Sequence, residues 1–264
     1  MKKRILASIF IVGFLLANLT ACGKKEAGDQ LEKIKNDGKI VFATEGAWAP
    51  WTYHDDSGEL VGFDTEVGKA IADKLGVEAE FVEGEWDGLF AGLDTGRYDA
   101  IINGVEVTEE RSQKYDFTDA YAYIKTALIV RSDNEEIKTF EDLKGKKTSN
   151  SLNSTYMILA QEYGAEVEGV DLLSQTMDMV ISGRVDATLN AEVSYYDYIK
   201  EQPDAQVKIV ALTDDASNVS IPLRKGDNSA ALREAINQAL SELRADGTLS
   251  EISNKYFGVD ITKE

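Results

Sequence analysis

In "VEVTEERSQKYDF" (residues 105–117) an arginine falls in the first turn of a predicted helix, where the backbone dipole favours anions. Thr108 is a suitable N-cap and Glu109 and Glu110 suit the dipole, but Arg111 does not. A guanidinium in that place can make one of two things. It can grip a carboxylate through two parallel hydrogen bonds, or it can form a surface ion pair of little worth. A second anion-binding device lies in "SLNSTYMILAQEYG", where Asn153, Ser154 and Thr155 precede an apolar helical run. Free N–H groups at such a helix start bind anions, although simple capping would use the same residues. Carboxylates that could meet a cation are Glu106 in "NGVEV" and Glu192 in "NAEVS". Trp48 and Trp51 flank "AP" in a turn, and Trp86 opens a helix. The single histidine, His54 in "HDDSGE", suits an exposed acidic turn. With one His and one Cys there is no His-dependent catalytic triad, and no zinc-ligand spacing occurs. No metal and no cofactor are expected.

The elements that must hold these residues alternate between strands and helices. "KIVFATEG" is an apolar strand ending in a turn. "GFDTEVGKAIADKLG" puts Phe63, Val67, Ala70, Ile71, Ala72 and Leu75 near helical spacing, with Gly76 as the stop. "AEFVEG" is a second strand, "WDGLFAGLDTG" a helix and "YDAIING" a third strand. The pattern then recurs: "GRYDAIING" (96–104) has a partner in "GRVDATLNA" (183–191), each behind a helical run. "KLGVEAEF" likewise echoes "EYGAEVEG". Two βαβ-type units built alike predict two α/β lobes rather than one large sheet. Open parallel sheets bind ligands beyond the carboxyl ends of their strands, so a ligand between two lobes would lie in a cleft.

The N-terminus carries other information. "MKKR" followed by "ILASIFIVGFLLANLTA" has the charged start, apolar core and small residues of a secretory signal over residues 1–21. "LTAC" places the only cysteine, Cys22, at the cleavage point, as in bacterial lipoproteins whose cysteine is lipidated. Acyl chains stabilise membrane binding by about 0.8 kcal/mol per buried CH₂, so Cys22 would hold the protein on the bilayer. Residues 22–30 then read as a polar tether. Losing Lys2, Lys3 and Arg4 with the signal takes the formal charge from −19 to −22. So acidic a surface repels phosphate backbones, which excludes nucleic acid as a partner.

"WAPWTYHDDSGELVGFDTEVGKAIADKLG", "WDGLFAGLDTGRYDAIINGVEVTEERSQKYDFTDAY", "FEDLKGKK" and "SGRVDATLN" resemble the solute-binding proteins of polar amino-acid ABC transporters, nearest the cystine-type branch. The resemblance runs from about Lys39 to Phe257, with "TEERSQKYDFTDAY" its most specific part. It implies a periplasmic-binding-protein-like fold (type II), with two α/β lobes joined by two antiparallel crossing strands. Lobe one would take residues 31–122 and 221–264, and lobe two residues 123–220. It implies a monomeric receptor that delivers an amino acid to an ABC permease. Arg111 matches the arginine that grips the ligand α-carboxylate, Asn103 and Gly104 match groups that bond the ligand backbone, and Ser154 and Thr155 match the donors of the second lobe. Trp48 matches the ring packed over the ligand, Trp86 is expected in the cleft, and Asn190 ends the strand that faces it. One position departs from the pattern. Most relatives carry an Asp for the ligand ammonium where this chain has Ala191. Glu106, or secondarily Glu192, is expected to replace it, because an enclosed ammonium needs an anionic partner. A dehydratase-type enzyme on the same fold, or a sensor feeding a signalling kinase, are the alternative readings.

Overall fold

A computed structural model describes residues 29–264; the secretory run and Cys22 lie outside the described residues. The expected tether 22–30 ends sooner than its last residue. Asp29 caps the helix Gln30–Asp37 by accepting from Leu31 N at 3.1 Å. The buried Gln30 amide donates to the carbonyl and carboxylate of Asp99, each at 3.1 Å, so this residue is already part of the folded body.

Two five-stranded sheets carry the architecture. The first runs Glu78–Glu83, Lys39–Thr44, Ala100–Ile101, Pro222–Arg224, Tyr115–Phe117 across its width. The second runs Glu166–Gly169, Lys147–Asn150, Ala187–Ala191, Thr126–Arg131, Val207–Leu212. In each, the first three strands are parallel and the next is antiparallel. The strands within "GRYDAIING" and "GRVDATLNA" hold the same central position, so the sequence repeat is a structural repeat. Parallel strands covered on both faces must be apolar throughout. Ile40, Phe42 and Ala43 of the first are fully buried, as are Ala187 and Leu189 of the second.

The helix Phe63–Leu75 buries Phe63, Val67 and Ile71 and ends at Gly76, whose φ of 74° is the left-handed conformation that favours glycine. Helices Asp227–Ala245 and Thr248–Phe257 pack against it. The chain passes between sheets through Ala122–Ile124 and returns through Ser217–Val219. These pair antiparallel, with Asn218 opposite Tyr123. This two-strand ribbon is the hinge. No helix of the described residues is long and apolar enough to cross a membrane.

Candidate functional site

The carboxyl ends of the parallel strands in both sheets open on one cavity, lined by Trp48, Trp86, Gly104, Glu106, Arg111, Ser154, Thr155 and Asn190 among others. Eight of the ten ligand-site residues expected from sequence thus come together. Asn103 and Glu192 do not.

Arg111 is placed by its helix start. Thr108 accepts from Arg111 N at 3.1 Å, which fixes the first turn of the helix that carries the arginine. Its Nη1 donates to Glu106 O at 2.9 Å and its Nη2 to Asn153 O of the opposite lobe at 3.3 Å. The guanidinium stands 5.1 Å from the Trp86 ring centroid and 5.4 Å from that of Phe90. Such cation–π contacts are worth about 0.5–2 kcal/mol and fix the plane of the fork. Burial lowers the Arg111 pKa, with Glu106 opposing that shift. A guanidinium stays charged even so.

On the facing lobe, Ser154 caps the helix Thr155–Glu162, accepting from Met157 N at 3.1 Å and donating to Ser151 O at 2.7 Å. Ser154 is therefore committed to the cap, and Thr155 reaches across. Its hydroxyl donates to the Glu106 carboxylate of the other lobe. Glu106 is 5% exposed, and its backbone bridges to Val219 beside the hinge. Two further links close the cleft: Asn153 Nδ2 donates to Asp87 at 3.1 Å, and Trp51 Nε1 to Ser194 Oγ at 3.0 Å.

The tryptophans divide. Trp51 is wholly buried in the core, and Trp48 stacks on it at 5.2 Å and 19° with its other face toward the cavity. Gly104 makes room for that ring. It has φ 56°, and a Cβ there would lie 2.6 Å from Trp48. Its N–H donates to the buried Asp64 carboxylate at 2.5 Å, and the Tyr121 hydroxyl donates to the other oxygen at 2.7 Å. Burial raises the Asp64 pKa to about 7 against these two stabilising bonds.

Two expectations need correcting. Asn103 is fully buried behind the cavity wall. Its Oδ1 accepts from Thr44 Oγ1 at 2.9 Å and Glu45 N at 2.8 Å, while its Nδ2 donates to Glu45 Oε2 at 2.6 Å. It positions Glu45 and does not face a ligand. Glu192 begins the helix Glu192–Glu201 and lies outside the lining, with its N–H on Lys125 O at 3.0 Å. Ala191, next to it, is fully buried and carries no charge.

Sequence reasoning missed Glu45, Asn150, Ser151, Tyr156, Asp171 and Thr176 of the lining. A usable signal existed. Glu45 follows the strand Lys39–Thr44, Asn150 ends Lys147–Asn150, and Asp171 lies just past Glu166–Gly169. These are carboxyl ends of parallel strands, where such sheets bind ligands. His54 is exposed, bonded to Glu83 at 2.8 Å, and is not among the lining residues.

Two α/β lobes closing a polar cavity over a two-strand ribbon define a two-lobed receptor for a small solute. Residues 40–259 match the profile of bacterial extracellular solute-binding proteins, family 3, and the chain belongs to that family. It therefore functions outside the cytoplasm as a solute-binding protein. It is 39% identical over 273 residues to the L-cystine-binding protein TcyA of Bacillus subtilis (strain 168), spanning 100% of both chains. An ancestral arginine-binding protein bound to arginine is 40% identical with a TM-score of 0.78, covering 84% of this chain and 99% of that one. The L-cystine solute receptor of Neisseria gonorrhoeae, unliganded and open, is 39% identical with a TM-score of 0.62, covering 90% of this chain and 100% of that one. Identity hardly differs between these two structures, yet the ligand-bound one superposes better. The cross-lobe bonds above agree with a closed arrangement.

Proposed function

We propose that this chain captures a free amino acid, with cystine favoured by the names of its relatives, and presents it to an ABC permease. One observation carries this reading: Arg111 from one lobe and the Ser154–Thr155 helix start from the other converge on the same enclosed cavity. The Arg111 fork and the Thr155 backbone take the α-carboxylate, Trp48 covers the ligand, and Gly104, Ser154 and Asn190 shape the wall. Glu106 takes the α-ammonium in place of an acid at Ala191. The lobes then divide at residues 31–122 with 221–264 and at 123–220, in line with the strand membership of the two sheets. The protein binds without turnover, and lipidated Cys22 keeps it on the membrane near its permease.

Thermal-shift screening against amino acids tests the central claim. A ligand at one hundred times its Kd adds about 2.7 kcal/mol. A panel without any shift would remove the reading, and recovery of chemically altered ligand would replace receptor with enzyme. Glu106→Gln keeps the shape and deletes the charge, so it should weaken amino-acid binding by about 2 kcal/mol. Undiminished affinity would show that Glu106 is not the ammonium partner. Labelling cells with a fatty-acid analogue checks Cys22: wild type takes label and Cys22→Ser does not.

A further inference from the structure

One acid is buried where it neither lines the cavity nor meets solvent. Asp64 is fully buried, and its carboxylate is bonded to one backbone amide and one hydroxyl, with no cation among its hydrogen-bond partners. Burying a carboxylate on those terms costs stability, and a neutral residue of the same size would avoid the cost. What the position gains in return lies in the two groups that it holds.

The sequence around Asp64 is built for close approach. Gly62 has φ 128°, and a Cβ there would stand 2.2 Å from Trp51 O, so glycine lets the start of the helix Phe63–Leu75 lie against the tryptophan backbone. Phe63 N then donates to Pro50 O and Asp64 N to Trp51 O, each at 3.0 Å. Two otherwise orphaned N–H groups of the helix thus fix the turn that carries Trp48 and Trp51. The Asp64 side chain extends the same hold to Gly104, whose missing Cβ leaves room for the Trp48 ring. Phe63 packs alongside, stacked on Tyr121 at 5.9 Å and edge-on to Trp51 at 5.6 Å.

The second oxygen leads to the hinge. Tyr121 directly precedes the outgoing strand Ala122–Ile124, and its N–H donates to Val219 O of the returning strand at 2.9 Å. The cavity wall past Gly104 lies along the other edge of that returning strand. Val107 N donates to Asn218 O and Ser220 N to Val105 O, both at 2.9 Å. Val219 is therefore flanked by Ala122 on one edge and Glu106 on the other. Asp64 joins the two flanks, since Tyr121 leads into one and Gly104 into the other.

We infer that Asp64 is a positioning residue for ligand binding: by holding Gly104 with one oxygen and Tyr121 with the other, it fixes the ligand-facing wall of the first lobe to the root of the hinge. Wall and hinge strand then move as one body, and closure brings the second lobe onto a wall of defined position. The inference rests on reading the cavity as the ligand site.

L-Cystine and L-arginine, titrated by calorimetry well below the melting temperature, are the probes. Tyr121→Phe removes one of the two bonds and keeps the stacked ring, so it should weaken whichever probe binds by about threefold or more. Asp64→Ala removes both and should weaken it by about tenfold or more. Asp64→Asn should stay within about twofold of wild type, because its oxygen can accept from Gly104 N while its NH₂ donates to the Tyr121 hydroxyl, which can also accept. A residue that only stabilised the lobe would lower the melting temperature and leave the affinity of the folded protein unchanged. Unchanged affinity in Tyr121→Phe, or Asp64→Asn as weak as Asp64→Ala, therefore overturns the inference, and the first of these decides it even if Asp64→Ala does not fold. If it is overturned while Arg111→Ala still abolishes binding, the cavity reading stands and only this inference falls. If wild type binds neither probe, both fall.

Discussion

The two lobes share a sheet order and a sequence repeat but contribute different chemistry to the cleft. The first supplies the guanidinium, two of the three carboxylates and both tryptophan rings: Arg111, Glu45, Glu106, Trp48 and Trp86. The second supplies mainly neutral groups, from Asn150, Ser151, Ser154, Thr155, Tyr156, Thr176 and Asn190, with Asp171 alone charged. A charged and aromatic surface can hold a zwitterion by itself, whereas hydroxyls and amides add strength only once the gap has closed. The duplicated scaffold has therefore been divided into a grip and a cover, and the Thr155–Glu106 bond is where the cover meets the grip.

The largest effect should come from the grip. Arg111→Ala leaves a buried carboxylate without its partner and should cost about 3–5 kcal/mol of affinity by calorimetry. A loss of under about twofold would place the site elsewhere. Thr155→Val, on the cover, removes one hydroxyl bond and should cost about 1 kcal/mol. If Thr155→Val cost as much as Arg111→Ala, the division of labour between the lobes would be wrong.

Proton linkage sharpens the comparison further, because both groups raised to about 7 belong to the first lobe. Burial and the nearby Asp171 raise Glu45, with the Asn103 bond opposing them. A ligand that needs Glu45 ionised should bind up to about tenfold more weakly per pH unit below about 7, with a plateau above it. A neutral-side-chain ligand should show no such slope. A flat profile for every ligand that binds would show that Glu45 takes no part in holding it.

A separate effect concerns stability. Asp64 titrates near 3.8 when unfolded and at about 7 when folded, because burial disfavours its charge. Between these values the folded state keeps a proton that the unfolded state has released. Stability from this group is thus full at low pH and falls as pH rises through that window. Glu45 acts in the same direction. Melting temperature should decline from about pH 5 to about pH 7.5, and Asp64→Asn should make the decline shallower. An unchanged slope would mean that Asp64 is not held as the geometry indicates.

Much of this was legible in the chain. The helix around Thr108 and the cap at Ser154 are local, set by residue types a few positions apart, so their N-termini could be placed from spacing alone. The paired "GR-DA" segments revealed the duplicated sheets for the same reason, since each strand end is punctuated by its own turn. The resemblance added the roles proposed for Arg111 and Trp48 and the two crossings between the sheets. The absence of an acid at Ala191 could be read by position, and so could Glu106, the replacement proposed for it.

Tertiary structure decided what required distant segments to meet. Glu45, Asn150 and Asp171 are far apart in sequence, and only parallel crossovers in two sheets and the approach of the two lobes bring them into one cavity lining. Asn103 was expected at the ligand because it matches a family position that bonds the ligand backbone, but its side-chain amide is bonded to Thr44 and Glu45 instead. Glu192 was one residue past the right place. At the boundary between a strand and a helix one residue suffices to move a side chain out of a cavity's lining, since successive strand residues point to opposite faces and the helix then rotates them again. Sequence therefore determined the elements and their capped ends, through short-range hydrogen bonding and hydrophobic period. The fold decided which side chains share a space, because that depends on the direction of each side chain at its strand end and on the meeting of two lobes.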